Sequence, residues 1–299
     1  MRRSLAPGVV LFVAVLAWSG VLTPPTFDGL PASPLVTLIM VPVLRVLVFG
    51  FGAFALGASV VGGMLSRNAA LLKRGSNAAL VYSVSSALLV VATLADLLAS
   101  SLWGAMRPAM LWSFVTQIEE GRYLAAQTCI GLAAAWILRS ERAQALAAVE
   151  LLSISVVLPA FSGHSAAAVS HWIASATMVV HLEAMSLWVG GVMALYFAPE
   201  AINRFGTLAL GSYLAIAFSG VASVFARTDE WSALITSHYG LVLAGKIAVT
   251  LGLGVFGYQQ RQFRVAHDGE AAKRTLTREL VLMGLALALA ITLARMANP

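Results

Sequence analysis

Residues 35–64 read LVTLIMVPVLRVLVFGFGAFALGASVVGGM, and this stretch decides the fold class. It holds one ionisable residue, Arg45, and is otherwise apolar or small. Coiled as an α-helix it would be roughly 45 Å long at 1.5 Å per residue, more than a hydrocarbon core of about 30 Å. Lipid offers the backbone no hydrogen-bond partners, so a segment of this composition is expected to satisfy its own as a helix. The apolar–polar alternation of a half-buried strand is absent.

Working outward, the same pattern recurs along almost the whole chain. Of 299 residues, 60% are hydrophobic and 11% charged, and the mean hydropathy is +0.87. A soluble domain carries about a quarter charged residues. The expected fold is therefore all-α, a polytopic transmembrane bundle. Apolar runs predict nine helices, at about 7–23, 35–64, 78–100, 121–139, 145–162, 172–197, 207–226, 239–260 and 278–297. The first follows Arg2 and Arg3 and has the length of a signal-peptide core. No A-x-A cleavage site follows it, so it reads as a helix stopped by Pro24 and Pro25. Residues 1–34 then form an N-terminal helix and outer loop, and 35–299 one membrane bundle. Turns are expected at Pro31–Pro34, Arg67–Asn77, Ser140–Gln144 and Pro199–Gly206.

The net charge of +6 carries topology rather than nucleic-acid binding, since no basic–aromatic patch accompanies it. With the N-terminus cytoplasmic, inner loops hold Arg2, Arg3, Arg67, Lys73, Arg74, Arg139, Arg142, Arg204, Arg261, Arg264, Lys273, Arg274 and Arg278. Outer segments hold only Arg107, Arg122, Arg227 and Arg295. This asymmetry predicts an inner end for the N-terminus and an outer, periplasmic end for the C-terminus. Trp103 and Trp112, in the outer segment SLWGAMRPAMLWSF, suit a membrane–water interface.

Cys129 is the only cysteine, so neither a disulfide within the chain nor a CxxC metal motif exists. A soft-metal site must use His and Met. Three ionisable residues fall within apolar helices: Arg45, Glu183 and Lys246. Such residues are costly in lipid and face a partner or a cavity. A Glu183–Arg45 or Glu183–Lys246 pair is expected, either as a structural tie or as the polar wall of a path. His164, His171, His181 and His238 fall on the outer half, whereas His267 lies in a basic inner loop and reads as solvated. His164, His171 and His238 lie near the outer interface, where imidazoles that converge would bind copper or zinc. Each alone also reads as an ordinary interfacial histidine. In HWIASATMVVHLEAMSLWVGG (171–191), Met178, His181 and Met185 are spaced i, i+3, i+7 and share a helical face. Thioether and imidazole together suit Cu(I), although methionine also packs well in any apolar helix. Gly190 and Gly191 allow a neighbouring backbone to approach. No Walker loop, GxGxxG, HExxH or GxSxG motif is present, and no paired carboxylates suit hydrolysis, so no enzyme activity is expected.

Several stretches from residue 161 onward, in order, resemble the copper resistance D (CopD) family. They are GHSAAA (163–168), HLEAMSLWVGG (181–191), NRFGTLAL (203–210), FSGVAS (218–223), SHYGLVLAGK (237–246) and TREL (277–280). Their order and spacing carry the resemblance more than any one of them. The first half fits through Arg45 and the aromatic run before the fourth helix. The resemblance implies an inner-membrane bundle of about eight helices that handles copper. Members move it inward or work with a periplasmic copper-binding partner of the CopC type. His164, His171, His181, Trp188, Tyr239, Gly240 and Lys246 match family positions. Glu183 departs from the family, as does Gln260-Arg261 where Asn-Arg is usual, and the first helix is additional.

Copper transport or delivery is the leading expectation, with His164, His171 and His238 capturing the ion and Met178, His181 and Met185 passing it deeper. Two alternatives are an electron carrier holding haem between two histidines, and a scaffold assisting copper-oxidase assembly without transport. A haem needs two axial ligands at similar depth on different helices, and His181 has no evident partner at its depth.

Overall fold

The computed structural model describes residues 33–140, 144–161, 171–227, 238–263, 277–286 and 289. The expected helix at 7–23, and His164, lie outside the described residues. Every regular element described is helical. Helix α1 spans Leu35–Ser59 and runs on as a π-helical turn, Val60–Leu65. Then come α2 (Ala69–Leu97), α3 (Leu102–Ala105), α4 (Pro108–Gln117), α5 (Glu119–Ser140) and α6 (Ala145–Val157). A 3-10 turn, Leu158–Phe161, ends α6. They are followed by α7 (His171–Leu195), α8 (Ile202–Arg227) and α9 (His238–Phe263). Residues 277–286 are also helical.

Two features differ from expectation. The first is the turn expected at Arg67–Asn77, which is confined to Ser66–Asn68, so that α2 begins at Ala69. Lys73 and Arg74 thus lie in its opening turns, where cations oppose the helix macrodipole. Packing and a cap decide the matter. Asn68 Oδ1 accepts the Leu71 N–H at 3.1 Å, and Leu71, Leu72 and Gly75 are buried. The second is the expected count of nine helices, which omitted α3 and α4. α3 is one turn, capped by Ser101 Oγ accepting from Gly104 N–H at 3.2 Å, and α4 starts on Pro108. Both are shorter than the apolar run of about twenty residues that marks a membrane-spanning helix.

The chain divides into two compact units, 24–223 and 1–23 with 224–299. In the first, α1 packs along α2 and α7, and α2 along α5. Small residues let the backbones meet. A Cβ on Gly57 would overlap the Gly190 carbonyl, and one on Gly190 would overlap the Ala53 carbonyl oxygen. This is the close approach that Gly190 led one to expect. Hydroxyls supply the polar ties. Tyr82 and Ser155 hydroxyls lie 2.6 Å apart, Gln127 Nε2 donates to Ser155 O at 3.0 Å, and Ser76 Oγ donates to Ala135 O at 2.7 Å. All four of Tyr82, Ser155, Gln127 and Ser76 are buried. In the second unit, α9 buries Val242 and Leu253, and 277–286 buries Glu279, Met283 and Ala286.

Among the described residues, four helices are long and apolar enough to cross a membrane: Leu35–Leu65, Ala69–Leu97, Trp172–Leu195 and Pro199–Phe225. Their outer faces display large apolar side chains, among them Val84, Leu88, Ile173, Phe218, Val221 and Phe225. Trp103 and Trp112 are exposed, as interfacial tryptophans would be.

Candidate metal site

Helix α7 carries the Met–His–Met face. On the side turned to α8, three contacts run in antiparallel register. Ser223 Oγ donates to Thr177 Oγ1 at 3.3 Å, His181 Nδ1 meets Ser219 Oγ at 2.9 Å, and the Trp188 and Tyr213 rings meet edge-on at 5.5 Å. The Ser219 hydroxyl has a single proton, which is directed back to the carbonyls of its own helix, Ala215 O at 2.6 Å and Ile216 O at 3.2 Å. Its oxygen therefore accepts from His181 Nδ1–H. The tautomer assigned from this network puts the imidazole lone pair on Nε2. Met178, His181 and Met185 are all half-buried.

Glu183 lies on another face of α7. Its Oε1 accepts from Ser153 Oγ of α6 at 2.7 Å, and its Oε2 is buried without a hydrogen-bond partner. The expected Glu183–Arg45 pair is not formed. Arg45 Nη2 instead lies 2.9 Å from Glu120 Oε1 at the start of α5, with the two side chains 44% and 37% exposed. Arg45 is thus not turned into the bundle interior. The reason is helical phase. α1 meets α7 through Ala53 and Gly57, about 80° and 120° round the helix from Arg45 at 100° per residue. The neighbouring Leu44 and Val48 pack with Phe114 and Leu124 of α4 and α5.

Lys246 is half-buried on α9, in the other unit. His171 and His238 open α7 and α9, but their side chains, like all of His164, lie outside the described residues. The outer trio stays an expectation. Among the described residues no group of three or more His, Cys, Asp or Glu is placed to hold a metal. Sequence reasoning missed Ser219, Ser153 and Glu120. Ser219 and Ser223, four apart on α8, carried a signal, because that spacing sets two hydroxyls on one helical face. Nothing local marked Glu120 as the partner of Arg45.

Residues 199–293 match the family described as copper resistance protein D. Residues 33–172 match the copper resistance protein D-like N-terminal domain. Comparison with curated proteins and with solved structures gives no match. The two matched regions follow one another in the order of that family and together take in most of the chain, including α1, α2, α8 and α9. With membrane-length apolar helices in both halves, this chain is a multi-pass membrane protein belonging to the copper resistance protein D family.

Proposed function

We propose that the protein transports copper across the bacterial inner membrane, or delivers it there, using His and Met ligands. The observation that carries this reading is the His181–Ser219 hydrogen bond of 2.9 Å, beside two methionines at helical spacing. A ligating imidazole is commonly oriented by a hydrogen bond on its remote nitrogen, and Ser219 is placed to serve His181 in that way. Thioether and neutral imidazole are the soft and intermediate ligands that suit Cu(I). Copper is cargo here, so its ligands must release it as well as bind it. Exchange between neighbouring His and Met positions provides for that.

His164, His171 and His238 take up the ion at the outer face in this account. His171 and His181 are ten residues apart, about 15 Å along a straight helix, so they serve successive positions and not one ion. A periplasmic copper-binding protein of the CopC type is the proposed donor. The N-terminus is cytoplasmic and the C-terminus periplasmic. With no nucleotide-binding motif in the sequence, a gradient or a partner supplies the energy.

Copper flux into proteoliposomes tests the relay. His181→Ala should spare surface binding and reduce flux, and Ser219→Ala should lower affinity about 10- to 100-fold, as loss of a ligand's orienting partner does. His164→Ala and His238→Ala should weaken capture. Wild-type flux in His181→Ala would overturn the relay.

A further inference from the structure

The end of the first unit that carries Lys73 and Arg74 has an open groove of about 250 Å³. Phe51, Phe54, Ala78, Val81 and Phe197 line it with apolar side chains, and Arg74 and Asn77 line it with polar ones. The Arg74 guanidinium carbon lies 4.1 Å from the centroid of the Phe197 ring. A cation–π contact does not use up the five N–H donors of a guanidinium, which a planar or tetrahedral oxyanion can accept. No carboxylate pairs with Arg74 among the described residues. Arg67, Lys73, Arg139 and Arg204 are exposed nearby in the chain's expected inner segments, against Glu150 and Glu200. The local charge is therefore positive.

Below Arg74, helix α2 turns one continuous stripe outward. Asn77, Val81, Val84 and Leu88 recur at i, i+4, i+7 and i+11 and are all exposed. Their span is about 16 Å, close to half of a hydrocarbon core of about 30 Å. A cation with unengaged donors at the head of an apolar track one leaflet deep has the chemistry of a phospholipid site. We propose that an anionic phospholipid occupies this groove. Its phosphate sits on Arg74 and Asn77, and one acyl chain runs past Phe51, Phe54 and Val81 along α2. Basic pockets between membrane helices bind anionic headgroups in this way. The proposal stands apart from the copper reading and uses none of its residues.

Native mass spectrometry of the full-length protein, delipidated in detergent and titrated with defined lipids, tests it. Phosphatidylglycerol should bind at least tenfold more tightly than phosphatidylcholine. Arg74→Gln should abolish that preference. Val81→Trp, which fills the groove and keeps the charge, should weaken phosphatidylglycerol binding about tenfold. Arg139→Gln, at the same basic end but outside the groove, should bind as wild type does. Excess inorganic phosphate should leave the lipid bound. Helical content and monodispersity of each variant confirm folding. The proposal is overturned by equal binding of the two lipids, by wild-type preference in Arg74→Gln, by displacement with phosphate alone, or by a protein dimer occupying this face in place of lipid.

Discussion

Replacing Gly190 by Ala adds one methyl group where α7 crosses α1. The added Cβ would overlap the Ala53 carbonyl oxygen and come within 3.2 Å of Gly57 N, and all of these are backbone atoms. A flexible side chain would swing aside, but backbone cannot. The two helices must therefore separate by roughly 2 Å to regain ordinary van der Waals distance. Overpacking of this kind costs about 1–3 kcal/mol, and the rigid obstacle puts Gly190→Ala at the upper end. Gly211→Ala provides the contrast, because nothing lies within 4 Å of its added Cβ. There the substitution should gain up to about 1 kcal/mol from helix propensity. The two variants carry the same chemical change, yet their stabilities should differ by about 3 kcal/mol or more. Thermal unfolding in detergent, followed by circular dichroism, measures the difference. Equal stability of the two variants would refute the backbone-to-backbone crossing. Because α7 also carries His181, the separation should lower copper binding in Gly190→Ala and not in Gly211→Ala.

Three further outcomes are expected. Tyr82→Phe removes the 2.6 Å contact with Ser155 in a fully buried setting and should destabilise by about 1–3 kcal/mol, with little further loss on adding Ser155→Ala. A double-mutant cycle between Arg45 and Glu120 should show a coupling of up to about 1 kcal/mol, as expected of a part-exposed pair, whereas a cycle between Arg45 and Glu183 should show none. Reporter fusions after Pro299 and within 264–276 should report opposite sides of the membrane, and the same side for both would refute the proposed orientation.

The sequence made legible what composition and local spacing control. The run at 35–64 became α1 to within a residue, because thirty apolar positions leave a membrane helix no competitor. Gly190 disclosed the helix crossing, because only a missing side chain lets two backbones meet. Met178, His181 and Met185 could be put on one face of a helix, since that needs only the helical period. Other features depended on tertiary structure. Lys73 and Arg74 looked like loop residues, and only the burial of Leu71, Leu72 and Gly75 shows why the helix includes them. The partner of Arg45 was misread because helix depth alone was considered. Which way a side chain faces depends on which neighbour the helix packs against, and Glu120 is 75 residues away. Ser219 lies 38 residues from His181, and its role needed the antiparallel register of α7 and α8.

Metal analysis of the purified protein beside its absorption spectrum tests the central claim most directly. The account predicts a colourless Cu(I) complex without a Soret band. Bound copper should fall when Met178, His181 and Met185 are replaced together, while the metal held at the outer histidines remains. A reddish protein whose Soret band vanishes with His181→Ala, and which carries no copper above background, would contradict it.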